Sequence, residues 1–157
     1  MVSSVIICCS VHRGNTLKVA RVISQILDAR IYRPEELDPV EATEKYQLIG
    51  LGSGIYYGKP HPSILRFAER LPSVREKYAF VFSTSGLPRM PVFHDYHKPL
   101  LAILVRKGFK VIGEFSCRGH NLHGALRWIG GMNKGRPSAA DLERARQFAG
   151  NILRRLA

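Results

Sequence analysis

The sequence predicts an α/β protein of one domain spanning residues 1–157, with a five-stranded parallel sheet and helices on both faces. Two observations carry this. Short apolar runs recur at residues 5–9, 46–52, 77–83 and 109–116, with too little polar alternation for strands wetted on one side. Each is followed by a loop of small or hydroxyl residues or a longer polar connection and then by helical spacing, and such alternation builds a parallel sheet through right-handed crossovers.

The first strand is read at Val5, Ile6, Ile7, Cys8 and Cys9. The period then changes: Val19, Ala20, Val22, Ile23, Ile26 and Leu27 share one helical face, with Lys18, Arg21, Gln25 and Asp28 on the other. Residues 28–33 form a brief second strand that Pro34 stops, and the acidic, proline-punctuated residues 35–44 form a loop with one helical turn. The third strand, 46–52, leads into two glycines bracketing two tyrosines and a helix over about 62–70. A fourth strand at 77–83 precedes Thr84-Ser85-Gly86 and a helix over about 92–107. The fifth strand covers 109–116. A long connection, 117–137, then reaches a helix that Ser138 and Asp141 open and that runs to about residue 154.

Composition narrows the function. With 45% hydrophobic residues and no apolar run of membrane-spanning length, the chain reads as a cytoplasmic globule. Three cysteines, two of them adjacent, argue for reduced thiols over a disulfide framework. Lys and Arg number 24 against 12 acidic residues, a net charge of +12 that attracts polyanions, anionic membrane surfaces or an acidic protein partner. The basic residues are spread along the chain with no aromatic interleaving, which argues against nucleic acid.

Two loops carry chemistry. Ser10-Val11-His12-Arg13-Gly14-Asn15-Thr16 joins a strand to a helix start, where backbone N–H groups lack intrahelical partners and the dipole is positive. There Gly14 lets a phosphate approach, Ser10, Asn15 and Thr16 offer hydrogen bonds, and His12 or Arg13 adds charge. The competing reading is an ordinary capped turn. Ser53-Gly54-Ile55-Tyr56-Tyr57-Gly58 holds aromatic rings in a glycine-bounded loop, suited either to stacking on a planar ligand or to covering the next helix. Cys117, His120 and His123, and the pair His94 and His97, have ligand chemistry but no evident fourth member, so no metal site is assigned. Trp128 is read as buried more readily than as a cap over a ligand. Arg144, Arg146, Arg154 and Arg155 read as a solvated face.

With these loops in place the whole chain resembles the flavodoxin-like FMN-binding family. The first loop and Gly52-Ser53-Gly54-Ile55-Tyr56-Tyr57-Gly58, followed by His61, are most similar to the branch of flavin-dependent protoporphyrinogen oxidases and small archaeal and bacterial flavodoxin-domain proteins. The resemblance implies a three-layer fold with strand order 2-1-3-4-5 and FMN as cofactor. It implies that Ser10, His12, Arg13, Gly14, Asn15 and Thr16 hold the phosphate. Ser53, Gly54, Ile55 and Gly58, with Tyr56 or Tyr57, would line one side of the ring, and Thr84, Ser85 and Gly86 the other. The implied function is electron transfer with a redox partner protein, or a flavin-dependent oxidoreductase acting on a small planar substrate such as a quinone or porphyrinogen. No catalytic side chain is assigned. The alternative is a basic binding or assembly module that keeps the fold and holds nucleic acid or an acidic protein. A homodimer is compatible with each reading. Classical members are acidic, so at +12 this chain does not inherit their partners.

Overall fold

The computed structural model describes residues 2–11, 14–86, 95–118 and 136–157. Among the described residues six strands and five helices follow in the order β1 (Ser4–Cys9), α1 (Asn15–Leu27), β2 (Arg30–Tyr32), α2 (Pro39–Lys45), β3 (Leu48–Tyr56), β4 (Lys59–Pro60), α3 (Pro62–Glu69), β5 (Tyr78–Ser85), α4 (Lys98–Arg106), β6 (Lys110–Arg118) and α5 (Ala139–Leu156). Five of the strands run parallel in the order β2-β1-β3-β5-β6. This is the expected 2-1-3-4-5 arrangement once the short β4, antiparallel to β3, is set aside. The sixth strand is a correction to the expected five. Its cause is local, since Tyr57 and Gly58 turn the chain back on β3.

Alternating side chains of the central strands feed two cores. Val5, Ile7, Ile49, Leu51, Ala79 and Val81 meet Ile64 and Phe67 of α3 and Leu100, Ile103 and Leu104 of α4. On the other face Ile6, Cys8, Leu48, Phe80, Phe82 and Phe115 meet Val19, Ala20 and Ile23 of α1 and Ala145, Ala149 and Ile152 of α5. On that face β3 carries Gly50 and Gly52, and a Cβ at either would stand 2.2 or 2.1 Å from Cζ at the ring tip of Phe80 or Phe82. The glycines expected to mark close backbone contacts therefore let two phenylalanines lie flat on the neighbouring strand. Phe148 of α5 closes that core edge-on to Phe80, with ring centroids 5.8 Å apart, and 5.6 Å from Phe115.

Several boundaries differ from expectation. The acidic segment folds as α2 because Asp38 accepts hydrogen bonds from the Val40 and Glu41 N–H groups, at 2.9 and 3.2 Å. β5 extends to Ser85 and β6 to Arg118, because the two strands stay paired through Thr84 with Cys117 and Ser85 with Arg118. Cys117 is thus a buried strand residue, not part of a loop. α4 starts at Lys98; the expected residues 92–94 lie outside the described residues, as does 119–135 of the long connection. Arg144 and Arg155 are not simply solvated: Arg144 sits 5.7 Å over the Phe115 ring, and Arg155 donates to the Ile112 carbonyl. Among the described residues no helix is long and apolar enough to cross a membrane.

Candidate functional site

Apolar rows give way to polar ones at the carboxyl ends of the strands. Ile7, Leu51 and Val81 lie in one register row, and the next row but one brings Cys9, Ser53, Ser83 and Ser116 side by side. On the opposite face Gly54, Thr84 and Cys117 share a row. A core that ended in small polar groups at both faces would leave a polar crevice where the strand order reverses, between β1 and β3, and ligands of open α/β sheets bind at such a place.

The first wall is the start of α1. Gly14 is its cap residue in the left-handed region, φ 64°, and a glycine has no side chain with which to cap the helix. The space a Cβ would enter is open to 4 Å. Ser10 reaches across the loop instead, accepting from the Leu17 N–H at 3.2 Å. No acidic residue stands in the first turn, so nothing there opposes an incoming anion. Asn15 and Thr16 are buried, and the Thr16 hydroxyl lies 2.8 Å from that of Thr84 at the end of β5. The start of α1, which follows β1, is thereby joined to the end of β5. These donors fit a phosphate. His12 and Arg13, assigned to the same loop, lie outside the described residues.

The second wall is a hairpin. β3 continues through Tyr56, pairs Ile55 with Pro60 and Tyr56 with Lys59, and turns at Tyr57 and Gly58 with φ 51° and 78°. Positive φ at both central residues is the type I′ geometry that fits the twist of paired strands. The two tyrosines, taken together as loop residues, separate here. Tyr57 projects from the turn, 87% exposed. Tyr56 folds back: its hydroxyl lies over Gly54, 2.7 Å from where a Cβ would stand, and its ring meets His61 edge-on at 5.5 Å. Burial pushes the Tyr56 phenol up to about 12, with Cys9 adding to the effect and a hydrogen bond with the Val11 backbone opposing it. Tyr56 thus fastens the hairpin to the first loop. Ser53 is buried within this wall, accepting from the His61 N–H at 2.9 Å and donating to the Gly54 carbonyl at 2.6 Å.

The third wall is the end of β5, where Thr84 faces α1 and Ser83 faces α4. Ser83, 2% exposed, meets Nε2 of the fully buried His97 at 2.6 Å, and His97 Nδ1 lies 3.0 Å from Glu114 Oε1. In the sequence His97 stands out only as half of a histidine pair with His94. Its partners are 14 and 17 residues away, so no local spacing signals the contact.

Burial pushes the thiols of Cys8 and Cys117 up to about 12, and that of Cys9 upward too, so none is a ready nucleophile at neutral pH. Among the described residues no group of three His, Cys, Asp or Glu is placed to hold a metal. His94, His120, His123 and Trp128 lie outside the described residues.

Residues 6–123 match the flavodoxin domain model. An uncharacterized protein of Methanocaldococcus jannaschii is 41% identical over 145 residues, covering 92% of this chain and 94% of that protein. Among solved structures, the oxidised flavodoxin 2 of Bacillus cereus superposes with a TM-score of 0.71 at 18% identity, covering 98% of this chain and 99% of that one. The Fusobacterium nucleatum flavodoxin, solved bound to flavin mononucleotide, gives 0.69 at 15% identity, with 99% of each chain covered. By sequence over three quarters of its length, and by an architecture those structures share, the chain belongs to the flavodoxin domain family.

Proposed function

We propose that the chain binds FMN across the carboxyl ends of β1, β3 and β5 and serves in electron transfer. The observation that carries the reading is the start of α1. A glycine caps it in the left-handed region, its first turn holds no acid, and Thr16 is buried against Thr84 across the crevice. Backbone donors at a positive dipole end, with hydroxyls on both sides, suit a phosphate dianion. Family membership and the FMN-bound structure of the Fusobacterium nucleatum flavodoxin support the choice of cofactor.

Ser10, Gly14, Asn15 and Thr16 hold the phosphate, with His12 and Arg13 adding charge from the same loop. Ser53, Gly54, Ile55 and Gly58 line one side of the ring system and Thr84, Ser85 and Gly86 the other. Tyr57 supplies the aromatic surface for the ring, while Tyr56 keeps the first two walls together. When bound, FMN supplies a ring that accepts and releases electrons singly or in pairs. The protein's own part is to anchor, orient and shield. Its charge of +12 selects an acidic redox partner, and three unpaired thiols suit a reducing cytoplasm.

The test is a visible absorption spectrum and a flavin-fluorescence titration of the purified protein. Quenching of FMN fluorescence is expected. Thr16→Val, which keeps the shape and removes the hydroxyl, should weaken FMN roughly tenfold and leave phosphate-free riboflavin nearly unchanged. FMN fluorescence that persists at saturating protein would end the reading. Turnover of a quinone or porphyrinogen by the loaded protein would mark an enzyme; its absence would mark a carrier.

A further inference from the structure

Ser83, His97 and Glu114 form a hydrogen-bonded chain on the α4 side of the sheet, beneath the third wall. Its inner end is closed: Ser83 is 2% and His97 0% exposed, whereas the Glu114 side chain keeps 30% of its surface. The order hydroxyl, imidazole, carboxylate is the one that activates serine nucleophiles. Ser83 is no such nucleophile, because it is buried within β5 and its backbone is laddered between Ser53 and Ser116. Its neighbour shows what the chain of groups does. Thr84 is bonded to Thr16 on the α1 face, and Ser83 is bonded to His97 on the α4 face. The end of β5 is therefore pinned from both sides, immediately before Ser85 and Gly86.

We propose that His97 is a positioning residue for the third wall: Glu114 accepts from Nδ1–H and so leaves Nε2 to accept the Ser83 hydroxyl proton, which fixes the placement of residues 84–86 at the carboxyl end of β5. This rests on the FMN reading, because those residues are the ones assigned to the ring. The carboxylate decides the tautomer. Without it either nitrogen can carry the proton, and the Nε2–H form must turn the Ser83 hydroxyl around.

The experiment uses the intact protein, nitrogen-15 NMR of the histidines and fluorescence titration with FMN and riboflavin. The Nδ1–H tautomer is expected for His97. Glu114→Ala should lose that single tautomer and weaken FMN and riboflavin by the same factor, roughly threefold to tenfold, since the ring wall and not the phosphate is disturbed. Glu114→Gln keeps a carbonyl acceptor and should restore both the tautomer and the affinities. Glu114 is partly exposed, so these variants leave the core in place, whereas His97→Phe tests the same point only if its circular dichroism is native. A dominant Nε2–H tautomer, or Glu114→Ala binding both flavins as the parent does, would overturn the proposal while leaving the cofactor reading intact. Failure of the parent protein to bind FMN would remove both.

Discussion

Asp141 is the carboxylate on which α5 begins. Its Oδ2 accepts from the Ser138 N–H at 2.8 Å and the Ser138 hydroxyl at 3.0 Å and lies 3.1 Å from Arg136 Nε, while Oδ1 accepts from Arg144 at 2.7 Å. Burial by itself would raise its pKa, but the Ser138 backbone, Arg144, the Ser138 hydroxyl and Arg136 together outweigh that and hold it below the ordinary aspartate range. The sign follows: a carboxylate with a lowered folded pKa adds stability that is present above its unfolded value of about 3.9 and is lost as pH falls through the folded value. Asp141→Asn should cost about 1–2 kcal/mol at pH 7, the scale of a lost capping pair. Urea unfolding should show the gap between parent and variant shrinking from pH 7 to pH 3. A gap that stays constant would mean the charge contributes nothing. The pairing of Ser138 with Asp141 is visible in the sequence because it is local. The arginines that close on it are local too, Arg144 one turn along α5 on Oδ1 and Arg136 two residues before the cap on Oδ2.

At the scale of elements, the β3–β4 hairpin sets an aromatic residue where its backbone is strained. Tyr57 has φ 51°, a conformation that glycine or asparagine adopts far more readily than a bulky side chain. The residue is 87% exposed, so burial does not explain the choice. Backbone outliers cluster at ligand clamps, which is in keeping with the place proposed for Tyr57 beside the flavin ring. Tyr57→Asn should therefore unfold at the same or a higher denaturant concentration, by about 0.5 kcal/mol, because Asn relieves the turn. The same variant should bind FMN more weakly, read by fluorescence titration. A loss of stability would show that Tyr57 is a structural residue of the hairpin. The sequence displayed the glycines and tyrosines of this segment, but it did not separate the strand residue Tyr56 from the turn residue Tyr57. That separation comes from pairing Tyr56 with Lys59 around a two-residue turn, which composition does not single out because Tyr57 takes a positive φ usually left to glycine or asparagine.

For the whole molecule the decisive quantity is charge. Lys and Arg outnumber acidic residues 24 to 12, and several of the acids are already engaged: Glu41 with Lys45, Glu69 with Arg106, Glu143 with Arg146 and Asp141 with two arginines. The remaining positive charges repel one another in the compact state, an effect that salt screens within about 10 Å at 0.1 M. The unfolding midpoint should accordingly rise between 0.01 and about 0.3 M sodium chloride, by roughly 2–4 °C for each kcal/mol of repulsion removed. A midpoint that falls with salt would mean that the ion pairs outweigh the repulsion, and would weaken the case for an acidic partner.

Apolar runs, helical spacing and the turn residues between them determined the parallel sheet, its two helical layers and the loops at its carboxyl edge, because each of these signals lies within a dozen neighbouring residues. The same local reading found Ser10, Gly14, Asn15 and Thr16 at the start of α1. Only the tertiary structure decided which polar groups meet, Thr16 with Thr84 and Ser83 with His97, and which tyrosine is displayed. Strand order and register place residues 14, 17 and 68 positions apart in contact. Those contacts are set by which strands lie side by side, a property of the assembled sheet and of no single stretch of chain.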